Sequence, residues 1–302
     1  MHKKLISWAI LPIISLSLII IAARSPYTIS DDDYFSAVSN HNKVTSVRIP
    51  ASLSFANEPL PLEKQYVREA IEHELIVNTY WHSSSILIIK RAHRWFPVIE
   101  PILKEYGIPD DFKYLAVAES GLRNVVSPAG AKGFWQIMKS TGREYGLEIN
   151  SGIDERYHVE KSTRVACEYL LNSYEEYDSW TLAAASYNAG MNGITKEIQK
   201  QNAKTYYDMN LGEETGRYIY RIVALKELLS RPEDFGFKLR DKDLYQPYNT
   251  YEISVDTTIH NLADFAALYG MNYKELKVYN PWLRQSDMPD KSRRTYQIKI
   301  PK

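Results

Sequence analysis

Between residues 65 and 230 the apolar positions recur at three- and four-residue steps, and no stretch alternates as a convincing strand does. Val67, Ile71 and Leu75 mark one such face, and Tyr218, Ile222, Leu225 and Leu229 mark another. A block of this length with one periodicity throughout is confined to an all-α domain. Within it, helices are predicted from His158 to Tyr177, from Trp180 to Tyr187 and from Glu213 to Leu229. The apolar run from Ile86 to Ile102 is interrupted by Pro97 and Pro101. Those prolines predict a break, hence two helices ahead of Gly107. Asp110 or Asp111 is placed to cap a third helix running through Phe112, Leu115, Ala116 and Ala118.

The flanks differ in texture. After Arg231-Pro232 comes a loop-like stretch, residues 233–248, expected to be a linker. Tyr251 to Val255 then alternates as a strand, two short helical segments come next (Ile259 to Tyr269, Tyr273 to Tyr279), and Tyr296 to Ile300 alternates again. Residues 249–302 are therefore expected to form a small βααβ unit, giving a mainly α chain with one small α+β domain. At the other end, Lys3 and Lys4 precede an uncharged stretch from Leu5 to Ala23, with Arg24 behind it. Residues 1–24 read as a signal peptide or a signal anchor, and the basic flank predicts that the rest of the chain is exported. The chain is then periplasmic or in the cell envelope, held to the membrane by residues 5–23 if they are not cut off. Residues 25–64, polar and proline-marked, are expected to be an arm, and 65–232 the main domain.

Composition excludes several classes. Lys and Arg total 37, as do Asp and Glu, so there is no basic footprint for nucleic acid. One cysteine, Cys167, rules out an intrachain disulfide or a multi-cysteine zinc site. It sits in an apolar helical pattern and is expected to be a core residue. The seven histidines show no metal-ligand spacing, and no metal or other cofactor is expected. Twenty-three Tyr and six Trp against eight Phe supply flat faces with polar edges, suited to sugar grooves and to ordinary cores alike.

One carboxylate stands out. Glu119 ends the apolar run Ala116-Val117-Ala118, and a small-residue turn leads from it through Ser127, Pro128, Gly130 and Gly133 to Trp135-Gln136. Burial raises a carboxyl pKa, and an acid held protonated near neutrality can protonate a leaving oxygen. The plain alternative is that Glu119 solvates a helix end.

These residues fall into ordered motifs: Glu119-Ser120, Gly133-Phe134-Trp135-Gln136, Ser186-Tyr187-Asn188 and Glu214-Thr215-Gly216-Arg217-Tyr218. The segment resembles the lytic transglycosylase branch of the lysozyme-like fold, of the membrane-bound lytic transglycosylase D type. The C-terminal unit is similar to a LysM domain, a glycan-binding βααβ module, although Val255 stands where Gly is usual before Asp256-Thr257. The resemblance implies a lysozyme-like catalytic domain acting on peptidoglycan glycan strands. Glu119 would protonate the bond between N-acetylmuramic acid and N-acetylglucosamine, then deprotonate the muramoyl C6 hydroxyl to leave a 1,6-anhydro end. Ser127 would hold the 2-acetamido group, Gln136 would bind sugar substituents, and Tyr187 would orient Glu119 or the acetamide. Asn188 would bind substrate or, more simply, anchor its loop. Trp135 is either a sugar platform or a buried residue, Tyr218 either core or groove border, and Glu214 the start of a helix. Two other readings stand beside this one: a lysozyme-type hydrolase, in which Asp110, Asp154 or Glu155 positions water, and a non-catalytic wall-binding protein.

Overall fold

The computed structural model describes residues 46–288 and 294–302. The N-terminal segment 1–24 and the first half of the expected arm lie outside the described residues. Among the described residues, no helix is long and apolar enough to cross a membrane.

The rest of that arm is built into the domain. Ser54–Phe55 (β1) and Glu58–Pro59 (β2) pair as a hairpin with register Ser54↔Pro59 and Phe55↔Glu58. Its turn residues Ala56 and Asn57 both have positive φ, and Ala56 N–H donates to Asp111 Oδ2 at 2.7 Å. Leu53, Phe55 and Leu60 are buried, Phe55 meeting Phe112 edge-on at 5.0 Å. The composition of 25–64 is polar, but these three side chains suffice to dock residues 53–60 on the helices.

Two helices precede Gly107, as the pattern predicts, but the break falls elsewhere. Gln65–Tyr80 (α1) ends at Trp81, and His82–Glu105 (α2) runs through both prolines. Pro97 and Pro101 lie four apart on the exposed face of α2, where water can satisfy the carbonyls they leave unpaired. A single 3₁₀ turn, Asp110–Phe112, leads into Lys113–Ser120 (α3). Neither Asp110 nor Asp111 caps it by a side-chain bond; Asp111 instead accepts from Ala56 N and from Lys226 Nζ (2.6 Å). The remaining helices of this part are Lys139–Glu144 (α4), Val159–Tyr177 (α5), Trp180–Ala189 (α6), Met191–Gln201 (α7) and Glu213–Ser230 (α8). Glu58 reaches across to cap α6, accepting from Trp180 N (2.5 Å) and Thr181 N (3.0 Å).

α8 lies at the centre, packed against α1, α3 and α6, with Ile219, Ile222, Val223 and Ala224 fully buried. Cys167 is buried in the same core, and burial pushes its thiol up to about 12, so it stays protonated.

The C-terminal unit has the expected order. Thr250–Val255 (β3) pairs antiparallel with Tyr296–Pro301 (β4), from Thr250↔Pro301 to Val255↔Tyr296, around Leu262–Leu268 (α9) and Tyr273–Tyr279 (α10). Its core of Leu262, Leu276, Trp282, Ile298 and Ile300 also takes in Ile153 and Tyr157 from the helical part. Backbone bonds cross the junction, Asp154 N–H to Trp282 O (3.0 Å) and Arg284 N–H to Gly152 O (2.7 Å), and Lys299 pairs with Glu160. Residues 233–248 run along α2, where Arg94 Nε donates to Gln246 O at 2.9 Å.

Candidate active site

α3 is short and almost wholly apolar, and Gly121 closes it in the left-handed region (φ 58°). That ending aims Glu119 toward α8 and turns the chain into the loop 121–138. Ser120, buried, donates its hydroxyl to Phe134 O at 2.8 Å and ties the helix end to the far side of that loop. The loop is closed by Gly133 N–H to Val125 O (3.1 Å) and by reciprocal bonds between Lys132 and Ile137. Gly133 has φ 81°, and a Cβ there would lie 2.0 Å from Arg156 O, so only glycine fits.

Tyr218, on the buried face of α8, donates its hydroxyl to Glu119 Oε1. Burial is the largest influence on Glu119 and pushes its carboxyl up to about 7. The Tyr218 hydrogen bond opposes this, Glu214 adds to it, and Arg221 opposes it. Tyr218 is only 2% exposed and its own pKa is raised well above 10, again by burial first, so its hydroxyl remains a donor. Sequence pattern left Tyr218 between core and groove; it is a core residue whose polar tip touches the carboxylate. Arg221, one turn further along α8, lies 4.0 Å from Glu74 Oε2, and its charge also bears on Glu119; the motifs do not mark it. Its one signal in the sequence is a charge three positions after Tyr218 on a helix with an otherwise apolar inner face.

The other expected site residues fall into two groups. Trp135 is not available as a sugar platform: it is 0% exposed, and its Nε1–H donates to Thr163 Oγ1 at 2.8 Å. Tyr187 is close to this Trp, but its hydroxyl donates to Trp135 O (2.7 Å) and so braces the loop instead of orienting Glu119. Gln136, with φ 47°, donates its amide to Gly133 O (2.7 Å) and Val125 O (3.2 Å), which holds the same turn. Asn188 accepts from Thr215 Oγ1 (2.7 Å) and donates to Glu214 Oε1 (3.4 Å), anchoring the end of α6 to the start of α8. Glu214 lies in the first turn of α8, as its helix-start role requires. Ser127 is half-buried in the loop, and its Oγ accepts from Ala131 N–H at 3.0 Å, which leaves the hydroxyl hydrogen for another acceptor.

The carboxylates of the hydrolase reading are engaged elsewhere. Asp110 pairs with Lys113 (2.5 Å), Asp154 with Arg156 (2.8 Å), and Glu155 with Lys161 while accepting from Glu148 N (2.7 Å).

Residues 97–210 match the model of the transglycosylase SLT domain, and residues 251–302 match that of the soluble lytic transglycosylase C-terminal LysM-like domain. The chain carries a transglycosylase SLT domain. Glu119, the loop behind it and Tyr187-Asn188 fall within the matched SLT residues, whereas Tyr218 and Arg221 come from α8 beyond them. The SLT match begins inside α2, so α1 and the β1–β2 hairpin lie outside it as well. The chain is also 27% identical over 232 residues to the membrane-bound lytic murein transglycosylase D of Escherichia coli strain K12 and to that of strain O6:H1. Those alignments cover 75% of this chain and 50% of each relative, so the chain spans about half the length of the curated relatives it matches.

Proposed function

We propose that this chain is a peptidoglycan lytic transglycosylase that cleaves the β-1,4 bond between N-acetylmuramic acid and N-acetylglucosamine without water. The observation that carries this reading is the half-buried carboxyl of Glu119, which desolvation pushes up to about 7 and whose Oε1 accepts from the Tyr218 hydroxyl. At that pKa the protonated form is available to give its proton to the glycosidic oxygen as the C1–O bond breaks. The substrate's own 2-acetamido group stabilises the positive charge at C1, and the Ser127 hydroxyl, whose hydrogen is left for another acceptor, donates to it. Glu119, now ionised and accepting from Tyr218, takes the proton of the C6 hydroxyl, and that oxygen bonds to C1. The products are an N-acetylglucosamine 4-OH end and a 1,6-anhydromuramoyl end, and Glu119 returns to its acid form. Two-carboxylate hydrolysis needs a second Asp or Glu across the bond. The carboxylate that acts on Glu119 is Glu214, which is exposed and on the same side as Tyr218 in the first turn of α8.

The LysM-like unit would add glycan affinity, and the expected export segment would place the enzyme at its substrate in the cell envelope. Mass spectrometry of wall digested by the purified chain tests the reaction. Anhydro ends are expected, and reducing ends would overturn it in favour of hydrolysis. Glu119→Gln is expected to lower turnover by at least about a thousandfold, general acid–base catalysis alone contributing on the order of 10²–10⁴. Wall binding should persist in that variant, and unchanged turnover would sink the mechanism.

A further inference from the structure

Arg91 and Arg123 stand at the start of the Glu119 loop, and Lys90 and Arg94 flank Arg91 on α2. Lys90 and Arg94 lie one turn apart on α2 and both stand over the Tyr245 ring, at 5.4 and 5.1 Å. Arg91, between them in sequence, also reaches the loop: its Nη2 is 3.5 Å from where a Cβ would stand on Gly121, two residues past Glu119. Arg123, exposed, is two residues further on, and its Nε donates only to Ser120 O at 3.4 Å. Among the described residues, no carboxylate lies within 4.0 Å of any of the four, while Lys113, Arg156, Arg217 and Lys226 each have an acidic partner. Arg91 Nε is buried with no hydrogen-bond partner. Burial, and after it the charge of Arg123, hold the Arg91 pKa below its ordinary value.

Two guanidinium groups that repel one another, one of them half-buried with its Nε unpartnered, form an arrangement that an anion would relieve. We propose that Arg91 and Arg123 form a carboxylate-binding site for the peptide stems carried by the glycan, beside the bond that Glu119 breaks. This inference rests on the peptidoglycan reading above. The stem hangs from the lactyl ether of the same muramoyl residue whose C1 would react at Glu119, so its carboxylates fall within reach of side chains two to four residues away. A planar guanidinium offers paired donors to a carboxylate, and charge-assisted bonds of this kind are the strong ones. An anionic membrane surface is the competing partner for a basic patch; the position against Gly121 favours the substrate.

The test uses the full chain carrying Glu119→Gln, with affinity measured for glycan strands bearing peptides and for the same strands stripped by an amidase, the lactyl carboxylates so freed being converted to neutral amides. Peptide-bearing strands are expected to bind about tenfold tighter, a ratio equal to two or three charge-assisted contacts of exposed groups. The ratio should fall severalfold when salt is raised from about 0.05 to about 0.5 M, values set by the range over which screening acts. Adding Arg123→Ala should bring the ratio close to one, and Arg123→Glu should bring it below one. Equal affinity for both strands in the parent, or a ratio untouched by either Arg123 variant, overturns the proposal. So does loss of binding to vesicles of phosphatidylglycerol and phosphatidylcholine in Arg123→Ala with the strand ratio retained. Failure of the unsubstituted chain to cleave either strand would overturn the enzymatic reading instead, and a preference for peptide-bearing strands would survive it.

Discussion

At the scale of the residue, the proposed chemistry depends on how Glu119 is held. The Tyr218 hydroxyl favours the ionised carboxylate and therefore pulls its pKa down against burial. Tyr218→Phe removes that pull, so the Glu119 pKa rises. The alkaline limb of the pH profile of kcat/KM is expected to move up by about half to one pH unit, with turnover reduced because the base form is no longer held in place. A limb that stays put or moves down would show that Tyr218 does not act on Glu119. The raised pKa also has a cost in stability. The folded value, about 7, lies above the ordinary 4.5, so the native chain holds an extra proton between them. The stability this proton confers is full below 4.5 and is lost as pH rises through 7. At pH 8 the ionised, half-buried carboxylate costs on the order of 1–3 kcal/mol, and Glu119→Gln relieves it. Thermal unfolding should show that variant more stable than the parent at pH 8, with the difference shrinking toward pH 4.5. Glu119 is singled out in the sequence by the ordered motifs around it, its position alone reading equally as a helix end. The loss of Trp135 as a platform is not legible there, since aromatic content does not say which ring the fold covers.

At the scale of the element, the loop 121–138 is the part that shapes the site, and it is fixed by backbone fit more than by side-chain chemistry. Gln136 and Tyr187 look like ligand-binding groups in sequence, yet both give their donors to carbonyls of this loop or its neighbour. Their contribution is to keep Ser127 and the end of α3 in register. Gly133 is the tightest point. Gly133→Ala meets both a positive φ and the Arg156 carbonyl 2.0 Å away, so the loop must shift as a whole. A loss of at least about 3 kcal/mol in stability is expected, read as the urea midpoint, together with loss of cleavage. Full activity in a folded Gly133→Ala chain would show that the loop does not determine the site. The prolines of α2 make a related point: Pro97 and Pro101 do not end the helix because both face water, and exposure of a helix face is not a local property.

At the scale of the whole molecule, the helical part and the βααβ unit form one structure. Ile153 and Tyr157 contribute to the core of the C-terminal unit, and backbone bonds from Gly152 and Asp154 continue across the junction. A single cooperative transition is therefore expected in calorimetry for residues 46–302, and Ile153→Ala should destabilise it by about 2–4 kcal/mol. Two separate transitions, with only one moved by Ile153→Ala, would show that the two parts melt independently. The hairpin at residues 54–59 works at this scale too: Phe55 fills the core beside Phe112, and Glu58 caps the helix that carries Tyr187 and Asn188.

The helical class and the βααβ order of the C-terminal unit are legible in the sequence, because periodicity is a local signal, and the ordered motifs single out Glu119, which the proposed function takes as its acid. The sequence misjudged the polar arm around Phe55 and the two prolines, where a few distant contacts outweigh composition. Packing in three dimensions is what lets α8 bring the Tyr218 hydroxyl to Glu119, from ninety-nine residues away in the chain. The same holds for Trp135, buried under Thr163, and for Arg91 beside Gly121. The reason is physical: the pKa of a carboxyl and the availability of a side chain depend on what surrounds them in space. Helical spacing fixes which face a residue shares, and packing alone fixes what that face meets.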